Sequence, residues 1–420
     1  MRKIIPFLFL LSLALPGVVA QAEEADPGGL TLQTCRQMAR ENYPAVRRYA
    51  LLDASEGYTL ENAASGWLPQ IGLNASAAAF TDILKDNAVL RQAGVDMKNY
   101  ALSASAVVQQ RIYDGGQTAA VKTTTQAQTN VNCSELDAAL YDVQHRVEQI
   151  YFALLLVDEQ LSQNANLQND LAVSFSTVES LQKGGLASAS DLDAVRVEQE
   201  RALQQRDALL AQRAAYVRML GVFVGKELSA DVPLEKPVAQ LSASGERPEL
   251  RTFYARNALL DTQRKTLDAK LRPTLGFFGG AFVHNDVTAL IRRTQLAAGL
   301  TLSWNISPLY TRRNDLHQLE LNRAMNDNAR DEFLFNLRLQ SHEADGTVAS
   351  LRKQISHDEE IVRLSEQLCR QSAERVKGGT ETVNEHLRKV NASHSAALQK
   401  ALHETQLLQA IYQLKYIHNS

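Results

Sequence analysis

The feature that most limits what this chain can become is a pair of alternating runs. Apolar or small residues stand at Ile71, Leu73, Ala75, Ala77 and Ala79, with Gln70, Gly72, Asn74 and Ser76 between them. The pattern returns as Leu102, Ala104, Ala106, Val108 and Ile112 against Ser103, Ser105, Gln109 and Arg111. A period of two is a strand signature. Each run of about 13 residues would extend roughly 40 Å, well past the usual strand of about 5–6 residues. That length crosses a bilayer core of about 30 Å even when tilted. Asp114-Gly115-Gly116 closes the pair, and helical spacing follows.

The same unit recurs. Pro44 and Pro69 are 25 residues apart, as are Pro248 and Pro273. A second pair of alternating runs follows, at Leu275 to Val283 and at Leu296 to Ile306. Asp114 to Lys183 and Pro308 to Lys377 are both 69 residues, and Lys183-Gly184-Gly185 and Lys377-Gly378-Gly379 both interrupt helical sequence. The offset between halves is 204 before the hairpin loop and 194 after it, so one change of loop length accounts for the difference. Such ordered spacing reads as a tandem duplication. The predicted layout is a first repeat at 23–225 with its hairpin at 69–113, a linker at 226–247, and a second repeat at 248–420 with its hairpin at 273–306.

Met1 to Ala22 reads as a secretory signal peptide, with Arg2 and Lys3 ahead of an apolar core from Ile4 to Leu15 and small residues at Ala20 and Ala22. That core is short of the roughly 20 residues a spanning helix needs, and no other segment is apolar enough to be one. A net charge of −3 gives no reason to expect a nucleic-acid partner. Cys35, Cys133 and Cys369 are odd in number and far apart, without metal-ligand spacing, and buried thiols are expected. The nine histidines show no metal spacing either. The Gly pairs are not followed by the Lys-Ser/Thr of a phosphate loop, and read as turns. No catalytic, cofactor-binding or metal-binding pattern is found, so an enzyme is not expected.

Residues 31–66 read as helix that Pro44 kinks or divides. Asp82 to Asn99 suits an exposed hairpin loop, with a shorter one around Asn285 to Arg293. A very long helix is predicted at about 115–181. Leu136, Leu140, Val143, Val147, Ile150, Leu154, Val157 and Leu161 step by four and three along it, which is a coiled-coil seam. About 67 residues of helix measure roughly 100 Å. Ser188 or Ser190 should cap a return helix carrying Val195, Ala202, Leu209 and Tyr216 and ending near Gly221 or Gly225. In the second half, Leu334, Leu337, Val348, Leu351, Ile355 and Val362 fit one heptad register. Val383, Leu387, Val390, Ala397, Ala401, Leu408 and Ile411 fit another. Ser341, Asp358, His394 and Glu404 share these registers, which reads as a wet seam or as the lining of an aqueous lumen.

Four strands cannot close a barrel of useful width, and open strand edges are not tolerated in lipid. Two copies would supply eight strands and three would supply twelve. Helices of about 100 Å must also bury their stripe along their full length. The predicted fold class is mainly α with β, a strand-hairpin and long-helix unit used twice, assembling as a β-barrel with a helical barrel beneath it.

The sequence resembles the TolC-like outer-membrane factors. The residues that carry the resemblance are Leu32 through Pro44, Trp67-Leu68-Pro69-Gln70, Gln110 through Gly116, Gly185-Leu186-Ala187-Ser188 with Asp191-Leu192, Leu220-Gly221 and Trp304-Asn305-Ile306. The resemblance implies a homotrimer with a twelve-stranded barrel in the lipid of the outer membrane of a Gram-negative bacterium, continued by a periplasmic helical tunnel. It implies a passive exit duct for efflux or type I secretion, served by an inner-membrane transporter and a periplasmic adaptor.

The resemblance also places adaptor docking on the helix-turn tips, here Gly184, Gly185, Leu186 and Ser188 in the first half and Arg375, Gly378, Gly379 and Thr380 in the second. Arg375 to Gly379 keeps the family's Arg-x-x-x-Gly spacing, whereas Leu181 departs from it at the first tip. Family members narrow the periplasmic end with acidic side chains just past the second tip. Glu385 occupies that place, Asp191 matches it in the first half, and Arg388 stands where a second acid would follow. These three are the gate candidates; the alternative for Glu385 and Arg388 is a solvated i,i+3 pair. The competing reading of the whole chain is a non-transport coiled-coil structural or adhesive envelope protein.

Overall fold

The computed structural model describes residues 30–79, 92, 100–238, 245–285 and 292–419. The segment 1–22, expected to be a signal peptide, and nearly all of the two expected hairpin loops lie outside the described residues.

The chain opens with α1 (Leu32–Asn42), capped by the Thr31 side chain, which accepts from the Thr34 amide. Pro44 divides the expected helix. The residue before a proline is pushed out of helical backbone, and Tyr43 is extended at φ −61°, ψ 129°. A single 3-10 turn, Pro44–Val46, leads into α2 (Arg47–Ser65). Then follow β1 (Gln70–Ala79), β2 (Tyr100–Tyr113), α3 (Gln117–Lys183) and α4 (Ala189–Val224). The second half is α5 (Pro248–Ala269), β3 (Thr274–Asn285), β4 (Arg292–Ser303), α6 (Pro308–Lys377) and α7 (Val383–His418).

The four strands form one antiparallel sheet in the order β1-β2-β3-β4, with one irregularity between Arg111 and Tyr113. β4 ends at Ser303, so Trp304 and Ile306 are not strand positions as the alternation suggested. The local reason is turn chemistry. Asn305 Oδ1 accepts the Ser307 amide at 3.0 Å, and Pro308 starts the next helix. Trp304 turns back to donate its indole N–H to Leu271 O at 2.9 Å.

α3 has 67 residues and α6 has 70, each roughly 100 Å of helix. α3 is the spine, packing against α1, α2, α4, α5 and α7. Its seam is buried from Leu136 to Val157, and only Leu161 is half-exposed. One core cluster joins Cys35 and Ala39 of α1, Val147, Tyr151 and Leu154 of α3, and Val217 and Leu220 of α4. Its buried Tyr151 hydroxyl donates to the Leu30 and Glu235 carbonyls, and Leu30 bridges Leu234. The described part of the linker is therefore fastened to this core. The second cluster joins Leu171 and Val178 of α3, Val195 and Ala202 of α4, Val376 of α6, and Val383, Leu387 and Val390 of α7. Each such side chain contributes about 1.5–3 kcal/mol when fully buried.

α6 is less covered. In its 70 residues only Ala344, Val348, Leu351, Asp358, Ser372 and Val376 are buried, while Leu321, Met325, Phe335, Leu339 and Leu364 are exposed. Among the polar residues in the seams, Asp358 pairs with His403 Nδ1 at 2.6 Å between α6 and α7. Ser341 bonds His418 at 3.1 Å, and Glu404 is exposed. Asp358 and Ser341 thus act within a wet seam. Of the cysteines, Cys35 is buried, and Cys133 and Cys369 are half-buried rather than fully enclosed.

Candidate functional site

The sheet has two unlike faces. Across it, Ile71, Val108, Gly279 and Ala298 stand opposite one another, as do Leu73, Ala106, Ala281 and Leu296. Leu300 and Leu302 share that side, and Leu296 is 84% exposed. The other face carries Gln70, Asn74, Ser76, Ser103, Ser105, Gln109 and Thr301, with the Ser76 and Ser103 hydroxyls 2.7 Å apart. Two aromatic rings interrupt it: Phe278 beside Gly299, and Phe282 beside Gly280.

The sheet joins α3 through Asp114-Gly115-Gly116. Both glycines are left-handed, at φ +71° and +85°. The Asp114 carboxylate is 3% exposed and accepts the Gly116 and Thr118 amides at 2.8 and 2.6 Å. Burial alone would raise its pKa. The hydrogen bonds from Thr118 and Gly116 and the charge of Arg111 outweigh that and hold it below the usual carboxylate value.

The two helix-turn tips share one geometry. At the first, the Gly185 and Leu186 amides return to the Gln182 and Leu181 carbonyls at 3.0 and 2.8 Å, with Gly185 at φ +75°. At the second, the Gly379 and Thr380 amides return to Val376 and Arg375 at 3.0 and 2.9 Å, with Gly379 at φ +69°. Both are Schellman turns. Gly184 and Gly378 occupy the C-cap positions with ordinary negative φ. Leu186 is 71% exposed at the first apex. The Thr380 hydroxyl also donates to the Arg375 carbonyl, and the Arg375 guanidinium lies 3.9 Å from Glu381. The second core cluster holds the two tips side by side.

Asp191 and Glu385 each complete a capping box. Ser188 caps α4 and receives the Asp191 carboxylate on its own amide at 2.9 Å; Thr382 and Glu385 repeat this on α7 at 3.3 Å. The carboxylate at N3 satisfies an amide that the helix start leaves bare. The two acidic gate candidates, Asp191 and Glu385, therefore have a local structural task in the single chain, and Glu385 bonds Thr382 instead of reaching forward to Arg388. Arg388 is exposed on the second turn of α7.

The structure also assembles a polar cluster at the second tip that pattern reading missed. Glu381 accepts from Ser372 and from Lys389, the latter at 2.6 Å, and Ser372 Oγ lies 3.3 Å from Nδ1 of the buried His386. Glu381 is held below its ordinary pKa, foremost by its bonds from Lys389 and Ser372. His386 is lowered by burial, with Glu381 opposing and Lys389 reinforcing. At the offset of 194, the first tip has Val178, Ala187, Leu192 and Val195 in these places. Setting the halves side by side would have exposed the contrast.

Among the described residues no group of His, Cys, Asp or Glu is placed to hold a metal ion, and no helix is long and apolar enough to cross a membrane.

No family model and no curated protein matches the sequence. Solved structures do match the fold. The outer-membrane channel OprN aligns with a TM-score of 0.68 at 14% identity, covering 92% of this chain and 89% of that one. The outer membrane protein VceC of Vibrio cholerae gives 0.67 at 12% identity, covering 93% and 96%. The CmeC outer membrane channel of Campylobacter jejuni gives 0.65 at 13%, covering 98% and 94%. At these identities the likeness is one of architecture, and the chain has the fold of the TolC-like outer-membrane channels.

Proposed function

We propose that this chain is one subunit of a passive exit duct in a Gram-negative outer membrane. The observation that carries the reading is the two-faced sheet. One face exposes Ile71, Leu73, Leu296, Leu300 and Leu302, and the other is lined mainly by amides and hydroxyls. A sheet that is greasy outside and wet inside suits a lipid-embedded barrel around water. Its free β1 and β4 edges require further copies. A trimer supplies twelve strands, and neighbouring subunits cover the bare stripe of α6. In this reading the chain is a duplicated unit, 23–225 and 248–420, joined by 226–247 and exported by the signal at 1–22.

The solved channels of this fold support transport as the activity. The duct performs no covalent chemistry. An inner-membrane transporter supplies the energy, and a periplasmic adaptor seats on the tips at Gly184, Gly185, Leu186 and Ser188 and at Arg375, Gly378, Gly379 and Thr380. Glu385, Asp191 and Arg388 set the charge of the periplasmic mouth. Glu385→Gln preserves an acceptor for the capping box while removing the charge, so it separates gating from helix capping.

The test is expression in a Gram-negative host, fractionation and planar-bilayer recording. The expected result is an SDS-resistant trimer in the outer-membrane fraction that conducts, with Glu385→Gln altering conductance. A monomer that dissolves in plain buffer without detergent refutes the duct. Unchanged current in Glu385→Gln removes that residue from the mouth.

A further inference from the structure

The foot of the sheet holds a cavity of about 450 Å³, lined on the polar face by residues of all four strands, among them Gln70, Gln109, Phe278 and Thr301. The end of β2 adds Arg111, and the helix ends below add Asp114, Lys270 and Arg272. Its volume lies in the range of about 300–1,000 Å³ that small organic ligands occupy. Neighbouring copies would pair with the β1 and β4 edges, which leaves the middle of this surface open.

Two features give the cavity a definite chemistry. The first is the Phe278 ring. It lies so close over Gly299 that a Cβ there would stand 3.0 Å from it. Phe282 lies on Gly280 in the same way, at 3.3 Å, beside Val107. Glycine beneath each ring lets it lie down on the sheet, and Phe278, the one of the two that lines the cavity, gives it an aromatic face on a surface of amides and hydroxyls. An aromatic face among polar neighbours suits the flat body of a ligand.

The second feature is charge. The side chains of Arg111, Lys270 and Arg272 are exposed and make no hydrogen bond or ion pair with another described residue, although the charge of Arg111 is near enough to help hold the Asp114 pKa down. The one carboxylate in the cavity, Asp114, faces inward to cap α3. Three exposed cations therefore stand at one end of a cavity whose other end is an aromatic face.

We propose that this cavity is a binding site for amphipathic organic anions, with an aromatic or alicyclic body on Phe278 and a carboxylate or sulfonate held by Lys270, Arg272 and Arg111. The proposal rests on the duct reading, because it places this face toward the conduit. Phe278 and Arg111 lie on the side of the sheet opposite Leu300 and Leu302. A free solute therefore reaches the site, whereas a lipid headgroup would have to approach from the other face. The cavity would give the duct a preference among cargoes at the point where helix passes into barrel.

The experiment is block of the open-channel current by naphthalene-2-sulfonate, with the (2-naphthyl)trimethylammonium ion as a control of similar shape. The sulfonate is expected to block and the cation is not. Lys270→Gln and Arg272→Gln should each raise the half-blocking concentration by about tenfold, the loss of one charge-assisted contact. Phe278→Ser should raise it about three- to tenfold. The double reversal Lys270→Glu with Arg272→Glu should exchange the preference, so that the cation blocks.

Equal block of wild type and variants overturns the proposal, as does equal block by the two naphthyl ions. Native mass spectrometry covers the lipid alternative. Variants that lose bound phosphatidylglycerol while their block is unchanged assign the cavity to lipid and also overturn it. A trimer that passes no current refutes the duct instead. Calorimetric titration of sulfonate into the detergent-solubilised protein then reads the cavity directly, and equal heats for wild type and the double reversal end the proposal.

Discussion

An arginine placed at successive positions of β4 separates a barrel wall from a soluble sheet. β4 spans 12 residues, Arg292–Ser303. At about 3.4 Å per residue it is roughly 40 Å long, and a tilt of about 45° reduces its height to about 29 Å, close to the bilayer core of about 30 Å. Its middle falls at Ala297 and Ala298. These neighbours share a depth but not a face: Ala297 pairs with Gly280 on the polar side, and Ala298 with Gly279 on the apolar side.

Arginine facing lipid at the midplane costs about 2–4 kcal/mol per subunit, hence about 6–12 kcal/mol for a trimer. Leu302 faces the same way but lies four residues along, about 10 Å nearer the interface, where the cost falls to about 0–1 kcal/mol per subunit. Ala298→Arg should therefore abolish the SDS-resistant trimer and leave the chain in inclusion bodies or proteolysed. Leu302→Arg should lower its yield slightly, and Ala297→Arg should leave it intact. The assay is the fraction of trimer in unheated gels of the outer-membrane fraction. Equal loss at Ala297 and Ala298, or greater loss at Leu302 than at Ala298, refutes the assignment of faces.

Arg247 is 5% exposed, pairs with Glu249, donates to the Tyr416 and Ile417 carbonyls, and lies over the Tyr141 and Tyr416 rings. Arg247→Met should cost about 3–5 kcal/mol, the usual penalty for breaking a buried pair, read as a lower urea midpoint, and Arg247→Lys should recover only part of it. Gly185→Ala and Gly379→Ala, at positive φ, should each cost about 1–2 kcal/mol and speed hydrogen exchange at the Leu186 and Thr380 amides. Gly184→Ala, at φ −82°, should leave exchange unchanged. Because burial lowers the His386 pKa from 6.5, the unfolded tip binds a proton more readily than the folded one. Stability from this group is complete well above pH 6.5 and declines as pH falls through 6.5 toward the lower folded value. Protection factors at the second tip, which are free of the pH dependence of intrinsic exchange, should fall between pH 7 and 5.5, while those of the first tip, with Leu192 at that place, stay level. An equal fall at both tips would remove His386 as the cause.

Periodicity made most of the elements legible before any coordinates. Local pattern determines whether a segment is strand or helix, so Ile71 to Ala79 and Leu136 to Val157 were readable. Strand ends were less so, because turn chemistry at Asn305 and Pro308 overrode an apolar alternation that continued through Trp304 and Ile306. The tips were readable as turns from their glycines. The task of Asp191 and Glu385 was also present in the sequence, as Ser188-x-x-Asp191 and Thr382-x-x-Glu385, the spacing of a capping box. Partners distant along the chain left no trace. Nothing near Tyr151 announces the Leu30 and Glu235 carbonyls, and nothing near Ser372 announces a bond to Glu381 across a turn. A helical period reports which face is buried, never what lies against it.

The two tips repeat one backbone and share one apolar cluster, with Val178, Leu192 and Val195 at the first and Val376, Val383 and Leu387 at the second, but only the second adds the bonded charges of Ser372, Glu381 and Lys389. Cooling weakens apolar contact and spares the bonded charges, so a chill loosens the first turn before the second. Added sulfate does the opposite, since it reinforces apolar burial and screens the partly exposed Lys389. One chain thus carries, side by side, a turn whose hold is apolar alone and a turn with a second, charged hold, and the two are weakened by different conditions.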